Sequence, residues 1–183
     1  MKIFELIDSM SCLTRWSQSH CTKKESVLEH TAFVAMYSYY MCCKYGIHNK
    51  GETLIKAIVH DIDEVVTGDI PTPTKYNNSR IREEIESIER VAAYDISTDI
   101  FDGDMYDYWS MAKDFGSDSG CIIAIADCAA VIYKIWQEIN IGNKSFLKFI
   151  PNIKGALDKL ESNVKVYFVE EIQYLRLIVE DLK

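Results

Sequence analysis

Residues 27–45 restrict the fold more than any other stretch. Ser26-Val27-Leu28-Glu29 fits a capping box, in which a serine hydroxyl and a glutamate carboxylate satisfy the first free amides of a helix. The run that follows carries Phe33, Val34, Met36, Tyr37, Tyr40 and Met41, and Gly46 stops it. It is apolar nearly all round, and a helix with no wet face must be surrounded by other elements. The chain is therefore expected to build a bundle with this helix at its centre.

The remaining periodicity is helical too. Ile3, Phe4, Leu6, Ile7, Met10 and Leu13 predict a short amphipathic helix at the start. A third helix is expected from near Glu52, with Leu54, Ile55, Ile58, Val59, Ile62, Val65 and Val66 inward, ending at Gly68. Residues 70–76 are expected to be irregular, because Pro71 and Pro73 each remove an amide and bias the preceding residue away from the α region. Ser79 is read as the cap of a charged helix over about 80–94. Residues 95–119 suggest a short aromatic-rich helix between two loops, and 121–139 a strongly apolar one broken by Gly142-Asn143. Two or three helical segments then fill 146–182, around Pro151 and Gly155. With no alternating strands, three prolines and eight glycines in 183 residues, the expected class is all-α. One domain is expected, with its core over about 12–147 and added helices over 148–183.

A formal charge of −8 argues against a nucleic-acid polymer, which needs a basic footprint. It leaves room for a small anion held by a metal and a few local cations. The six cysteines show no CxxC spacing and read as small apolar residues in a reducing compartment. The start lacks a signal-peptide pattern, and the longest strongly apolar uncharged run, 31–43, is too short to span a bilayer. An intracellular, soluble protein is expected, with no membrane partner.

Four residues stand out from these helices: His30, His60, Asp61 and Asp127. Each lies on or beside an apolar helix, where an unpaired charge is costly. Glu64 follows His60 by four residues and is expected over the same face. Two imidazoles and two carboxylates suit a divalent transition metal such as Mn, Fe, Co, Ni or Zn, with positions left for water. Singly, each has a plain alternative: His30 as a hydrogen-bonded core histidine, Asp127 as a cap or an arginine partner.

Arg15-Trp16, Glu29-His30, His60-Asp61, the run from Glu64 to Tyr76 and Asp127 occur in an order that resembles the HD-domain metal-dependent phosphohydrolases. Within these the chain is similar to the bacterial 5′-deoxynucleotidase branch, through Thr67-Gly68-Asp69-Ile70-Pro71-Thr72-Pro73-Thr74-Lys75-Tyr76 and a late match at Gly142, Asn143 and Phe146. The resemblance implies a compact helical HD-domain bundle with His30, His60, Asp61 and Asp127 as metal ligands. It implies Glu64 as the group handling the attacking water or the transferred proton, and Asp69 as a further acidic residue near the phosphate. Arg15 and Trp16 match the pair that holds the phosphate and sugar edge and excludes a ribose 2′-hydroxyl, although Trp16 also suits plain packing. Lys75 is either a phosphate contact or a surface lysine.

The implied reaction is hydrolysis of the 5′-phosphate ester of a deoxynucleotide, giving deoxynucleoside and phosphate. Related phage-type enzymes instead release triphosphate from deoxynucleoside triphosphates, and Lys23 and Lys24 in the polar stretch after Trp16 leave that alternative open. A non-catalytic nucleotide-binding or sensory HD module is the alternative of another class. The resemblance also implies a cytoplasmic homo-oligomer, a dimer or higher (in the host cytoplasm if phage-encoded). The aromatic segment 106–115 is a candidate contact face.

Overall fold

The computed structural model describes residues 2–75 and 77–182. Their regular structure is helical, with α1 (Ile3–Cys12), α2 (Val27–Lys44), α3 (Lys50–Val59), α4 (Glu64–Thr67) and α5 (Thr72–Lys75) in the first half. These are followed by α6 (Ser79–Ile100), α7 (Met105–Met111), α8 (Asp118–Asn140), α9 (Ile150–Asn163) and α10 (Val169–Glu180). Short 3₁₀ segments, Lys144–Phe149 and Val166–Phe168, precede α9 and α10. The only β-type pairing among the described residues is an isolated bridge between Thr14 and Ser26.

The capping box forms as the sequence predicts: Ser26 Oγ accepts from the Glu29 amide, and the Glu29 carboxylate accepts from the Ser26 amide at 2.8 Å. Helix α2 is nevertheless not enclosed. It packs between α3 and α8 through Val27, His30, Thr31, Val34, Ser38, Met41 and Cys42. Its outer stripe stays wet, with Met36 at 76% exposure and Tyr39 and Tyr40 about half exposed. The innermost helix is α8, buried along most of its length from Cys121 through Glu138. Helix α8 is long and apolar enough to cross a membrane, yet 72% of its most apolar window is buried inside the fold, as befits a core helix.

Two helix starts shift by three residues or fewer. Asn78, not Ser79, caps α6, its Oδ1 accepting from the Ile81 amide at 3.0 Å. Ser117 caps α8. Helix α6 also continues to Ile100, beyond the expected 94, because Ala93, Ile96 and Ser97 extend its buried face. The two-proline segment is not wholly irregular, since Pro71 carbonyl oxygen accepts from Thr74 and Lys75 amides and closes one helical turn. Proline at the first turn loses no helical hydrogen bond, which is why Pro73 is accommodated. Tyr76 lies outside the described residues.

The segment 106–115, a candidate contact face, is mixed: Trp109 and Ala112 turn inward, whereas Met111 and Phe115 stay exposed. Met105, Trp109 and Ala112 are buried, and Trp109 Nε1 donates to the buried Asp63 carboxylate at 2.6 Å. Just after it the chain doubles back over the first turn of α8 so closely that a Cβ on Gly120 would lie 2.0 Å from the Asp114 carbonyl oxygen. Backbone cannot retreat as a side chain can. Gly120→Ala is therefore expected to cost about 3 kcal/mol, at the upper end of overpacking effects, read as a lower urea midpoint with unchanged slope.

Candidate active site

The site forms where α2, the turn after α3 and α8 meet. His30 lies in the first turn of α2, His60 and Asp61 in the turn, and Asp127 in the middle of α8. Sequence periodicity predicts one continuous helix through His60, but the structure interrupts it. The Ile62, Glu64 and Val65 amides bond three residues back, to Val59, Asp61 and Ile62, so 60–63 is a tight turn. That tightening carries Asp61 between the two imidazoles rather than along the helix flank. Asp61 Oδ2 stands 3.1 Å from His60 Nε2 and 3.3 Å from His30 Nε2, and Asp127 Oδ1 stands 3.2 Å from His30 Nε2.

These atoms have the properties of a cation cage. Donor atoms of His30, His60 and Asp127 all lie within 4.8 Å of one another. Both Nε2 atoms are buried with no hydrogen-bond partner, a costly condition that a cation would relieve. His60 Nδ1 is 2.8 Å from the Ala57 carbonyl oxygen, so Nδ1 carries the proton and the Nε2 lone pair points to the centre. The donor set fits a divalent metal.

Charge around the cage is strongly coupled. Burial would lower the His30 pKa, but the carboxylates of Asp127 and Asp61 close to its Nε2 outweigh it and raise it to about 9. Burial opposes ionisation of Asp61 as well, yet His60 and His30 hold its carboxyl well below the usual range. Glu64 behaves oppositely. Burial, reinforced by the Asp61 charge, raises its pKa to about 9 against the pull of Arg15.

Arg15 enters from the loop between α1 and α2. Its Nη1 stands 3.2 Å from Asp61 Oδ2 and 3.9 Å from Glu64 Oε1, while its Nε is buried without a partner. Trp16 follows at φ 64°, in the left-handed region that bulky residues avoid at a cost of roughly 1–2 kcal/mol. Three contacts hold it there. Its amide donates to Asp69 Oδ2 at 3.1 Å, its indole Nε1 donates to Glu25 Oε2 at 3.0 Å, and its ring rests on Phe146 and Phe149 at 5.4 and 5.2 Å. Asp69, expected near a phosphate, thus has one oxygen engaged in fixing Trp16; Gly68, at φ 74°, turns the chain that delivers it. Lys75 Nζ donates to Glu89 on α6 at 2.6 Å, so its ammonium is committed to that carboxylate.

The sequence model of the YfbR-like 5′-deoxynucleotidases matches residues 2–174. The chain belongs to that family. It is 28% identical over 175 residues to the 5′-deoxynucleotidase YfbR of Escherichia coli O1:K1, covering 91% of this chain and 87% of that protein. Among solved structures it resembles an HD-domain phosphohydrolase, lin2634 of Listeria innocua, with a TM-score of 0.78 at 25% identity over 99% of this chain and 91% of that one. The HD phosphohydrolase DatZ of cyanophage S-2L, solved with dA and one catalytic Zn²⁺, shares the fold at a TM-score of 0.67 and 17% identity, covering 96% and 95%. The protein is a hydrolase of the metal-dependent HD class.

Sequence reasoning passed over two supporting groups. Asp63 is buried as the acceptor for Trp109, inside the 60–63 turn that also carries His60 and Asp61. Glu138 is buried beside the polar loop 17–25 and paired with Lys134 at 2.7 Å. Two opposite charges four residues apart on an otherwise apolar helix were a readable signal for the second. Burial alone would raise the Glu138 pKa, but hydrogen bonds from Lys134, Asn143, Thr22 and Lys23 outweigh it and hold it at about 2. A carboxyl whose folded pKa lies below its ordinary value of 4.5 contributes stability above that value and loses it as pH falls toward 2. About 3 kcal/mol is expected to disappear across that window. Comparing urea midpoints of wild type and Glu138→Gln from pH 6 to pH 3 reads it: the gap should close as pH falls.

Proposed function

We propose that this protein hydrolyses the 5′-phosphate ester of 2′-deoxynucleoside monophosphates, releasing deoxynucleoside and phosphate. The observation that carries the reading is the convergence of two unpartnered imidazole Nε2 atoms with Asp61 and Asp127 beside the Arg15 guanidinium. His30, His60, Asp61 and Asp127 would hold a divalent Mn, Fe, Co, Ni or Zn ion. Such an ion, when bound, lowers the pKa of water and neutralises phosphoryl charge.

The chain's own groups do the rest. Arg15 keeps its charge despite burial, because Asp61, Asp127, Glu64 and Asp69 surround it, and its free Nε offers a phosphate oxygen a charged donor. Glu64 has one oxygen without a partner and a raised pKa, which suits a carboxyl that manages the proton passing between water and the O5′ leaving oxygen. Trp16 sets the sugar edge, where an added 2′-hydroxyl would meet a ring that cannot move. Asp69 supports that wall through the Trp16 amide. A single guanidinium beside the cage suits one phosphate better than three, and Lys75 on Glu89 adds no second cation there. The same reading takes the chain as one HD domain, cytoplasmic, without a polymeric nucleic-acid or membrane partner, and assembled as a dimer or higher oligomer. Light scattering after size exclusion reads the last point.

Assaying every deoxynucleoside mono- and triphosphate with Mn²⁺, Co²⁺ and Zn²⁺, and identifying the phosphate product, tests the proposal. Orthophosphate from monophosphates is the expected product. Triphosphate released from a deoxynucleoside triphosphate would replace it with the phage-type reaction. Nucleotide binding without any product would replace it with a sensory module.

A further inference from the structure

Trp16 is strained, and strain of this kind persists only where the surroundings over-determine the conformation. Two surfaces do so: the loop that carries Trp16 and the aromatic floor under its ring. The floor is Phe146 and Phe149, on the 3₁₀ segment after α8. Both surfaces run into one buried cluster far along α8 from the ligand Asp127. Glu138 Oε2 accepts from the Thr22 amide and from Asn143 Nδ2, each at 2.8 Å, and Oε1 accepts from the Lys23 amide at 3.0 Å. Lys134 Nζ donates to Glu138 Oε1 at 2.7 Å and also to the Lys23 carbonyl oxygen. Asn143 Nδ2 is shared with the His20 carbonyl oxygen at 2.9 Å, and the Asn143 amide donates to the Glu138 carbonyl oxygen at 2.8 Å. The loop, and Asn143 at the head of the segment that carries the floor, are therefore hydrogen-bonded to the same carboxylate.

We infer that Glu138, with Lys134 and Asn143, is a positioning residue for substrate selection, acting through Trp16. A buried ion pair is weak evidence of stability in itself, since apolar residues of similar volume often serve as well. Its retention here has a geometric use. It sets the distance between the Trp16 loop and the phenylalanine floor, and hence the tilt of the indole wall. None of its three side chains belongs to the metal cage or its Arg15–Glu64 margin, so it tunes what fits without touching hydrolysis. The inference rests on the selectivity role given above to Trp16.

The test uses full-length, Co²⁺-loaded enzyme carrying Glu138→Gln, with Asn143→Ala as a milder second variant at a half-buried position. Glutamine keeps the shape but turns an amide NH₂ against a backbone N–H and leaves Lys134 without its counter-charge. Preference for deoxyadenosine over adenosine 5′-monophosphate, as the ratio of kcat/KM values, is expected to fall about tenfold in both variants. KM for the deoxynucleotide should rise while kcat stays within about threefold, since misplacement of a substrate wall weakens binding before chemistry. Amide exchange across residues 15–25 should speed up in both variants. An unchanged preference in an active, folded variant, or unchanged exchange in that loop, overturns the inference. Wild type that turns over no deoxynucleotide would instead defeat the proposed function, and loop exchange would still decide whether Glu138 positions Trp16.

Discussion

Replacing Asp61 with alanine is expected to remove metal-dependent turnover, lowering kcat/KM by about three orders of magnitude, or some 4 kcal/mol of transition-state stabilisation. No other side chain meets so many neighbours in the cage. Its Oδ2 faces His60, Arg15 and His30 at 3.1, 3.2 and 3.3 Å. Alanine would leave two imidazoles and a guanidinium with Asp127 and Glu64 alone, an arrangement that repels a divalent cation. Titration calorimetry with Mn²⁺ reads the lost affinity directly. Asp61→Asn separates charge from shape: it should pack normally and still bind metal poorly. An alanine variant that bound metal and turned over as wild type would show that the cage is centred elsewhere.

The second large effect concerns Glu64. Glu64→Gln is expected to lower kcat about 10² to 10⁴-fold, the usual range for a lost general acid–base group. Metal affinity should change little, because Glu64 stands behind Asp61 and touches the cage only through Arg15, 3.9 Å from its Nη1. This split between turnover and metal binding distinguishes the two carboxylates, which are three residues apart in sequence. Loss of metal together with turnover would make Glu64 a ligand, and unchanged kcat would remove it from the chemistry.

Much of this architecture was legible in the residues. Helical periodicity revealed the bundle, and the order of His30, His60-Asp61 and Asp127 revealed the residues that the fold brings together. What periodicity misjudged follows from tertiary packing. Helix α2 is apolar all round, and composition cannot tell which helix wins the centre; α8 does, and Met36 is left in water. The break at 60–63 was invisible because a tight turn and a helix carry the same apolar spacing. Of the aromatic residues in 106–115, Phe115 stays exposed, whereas Asp63 draws Trp109 inward through a long-range hydrogen bond that no local pattern announces. The Lys134–Glu138 pair was readable four residues apart, but its bonds to Thr22 and Lys23, more than a hundred residues away, were not.

The fastening of α10 has a practical consequence for anyone shortening this chain. Glu171 is fully buried, accepting from Tyr37 Oη and from Lys44 Nζ, the latter at 2.8 Å, and both partners stand on α2. Helix α2 carries His30 toward its other end, about 10 Å from Tyr37 and about 20 Å from Lys44 along a rigid rod. Trimming the last helix would leave Tyr37 and Lys44 on α2 without their buried acceptor and remove Ile172, Leu175 and Val179 from the core that α8 and α9 share with it. Truncation products cut before Val169 should therefore lose metal affinity although every ligand remains, and affinity tags belong beyond the final helix rather than in its place.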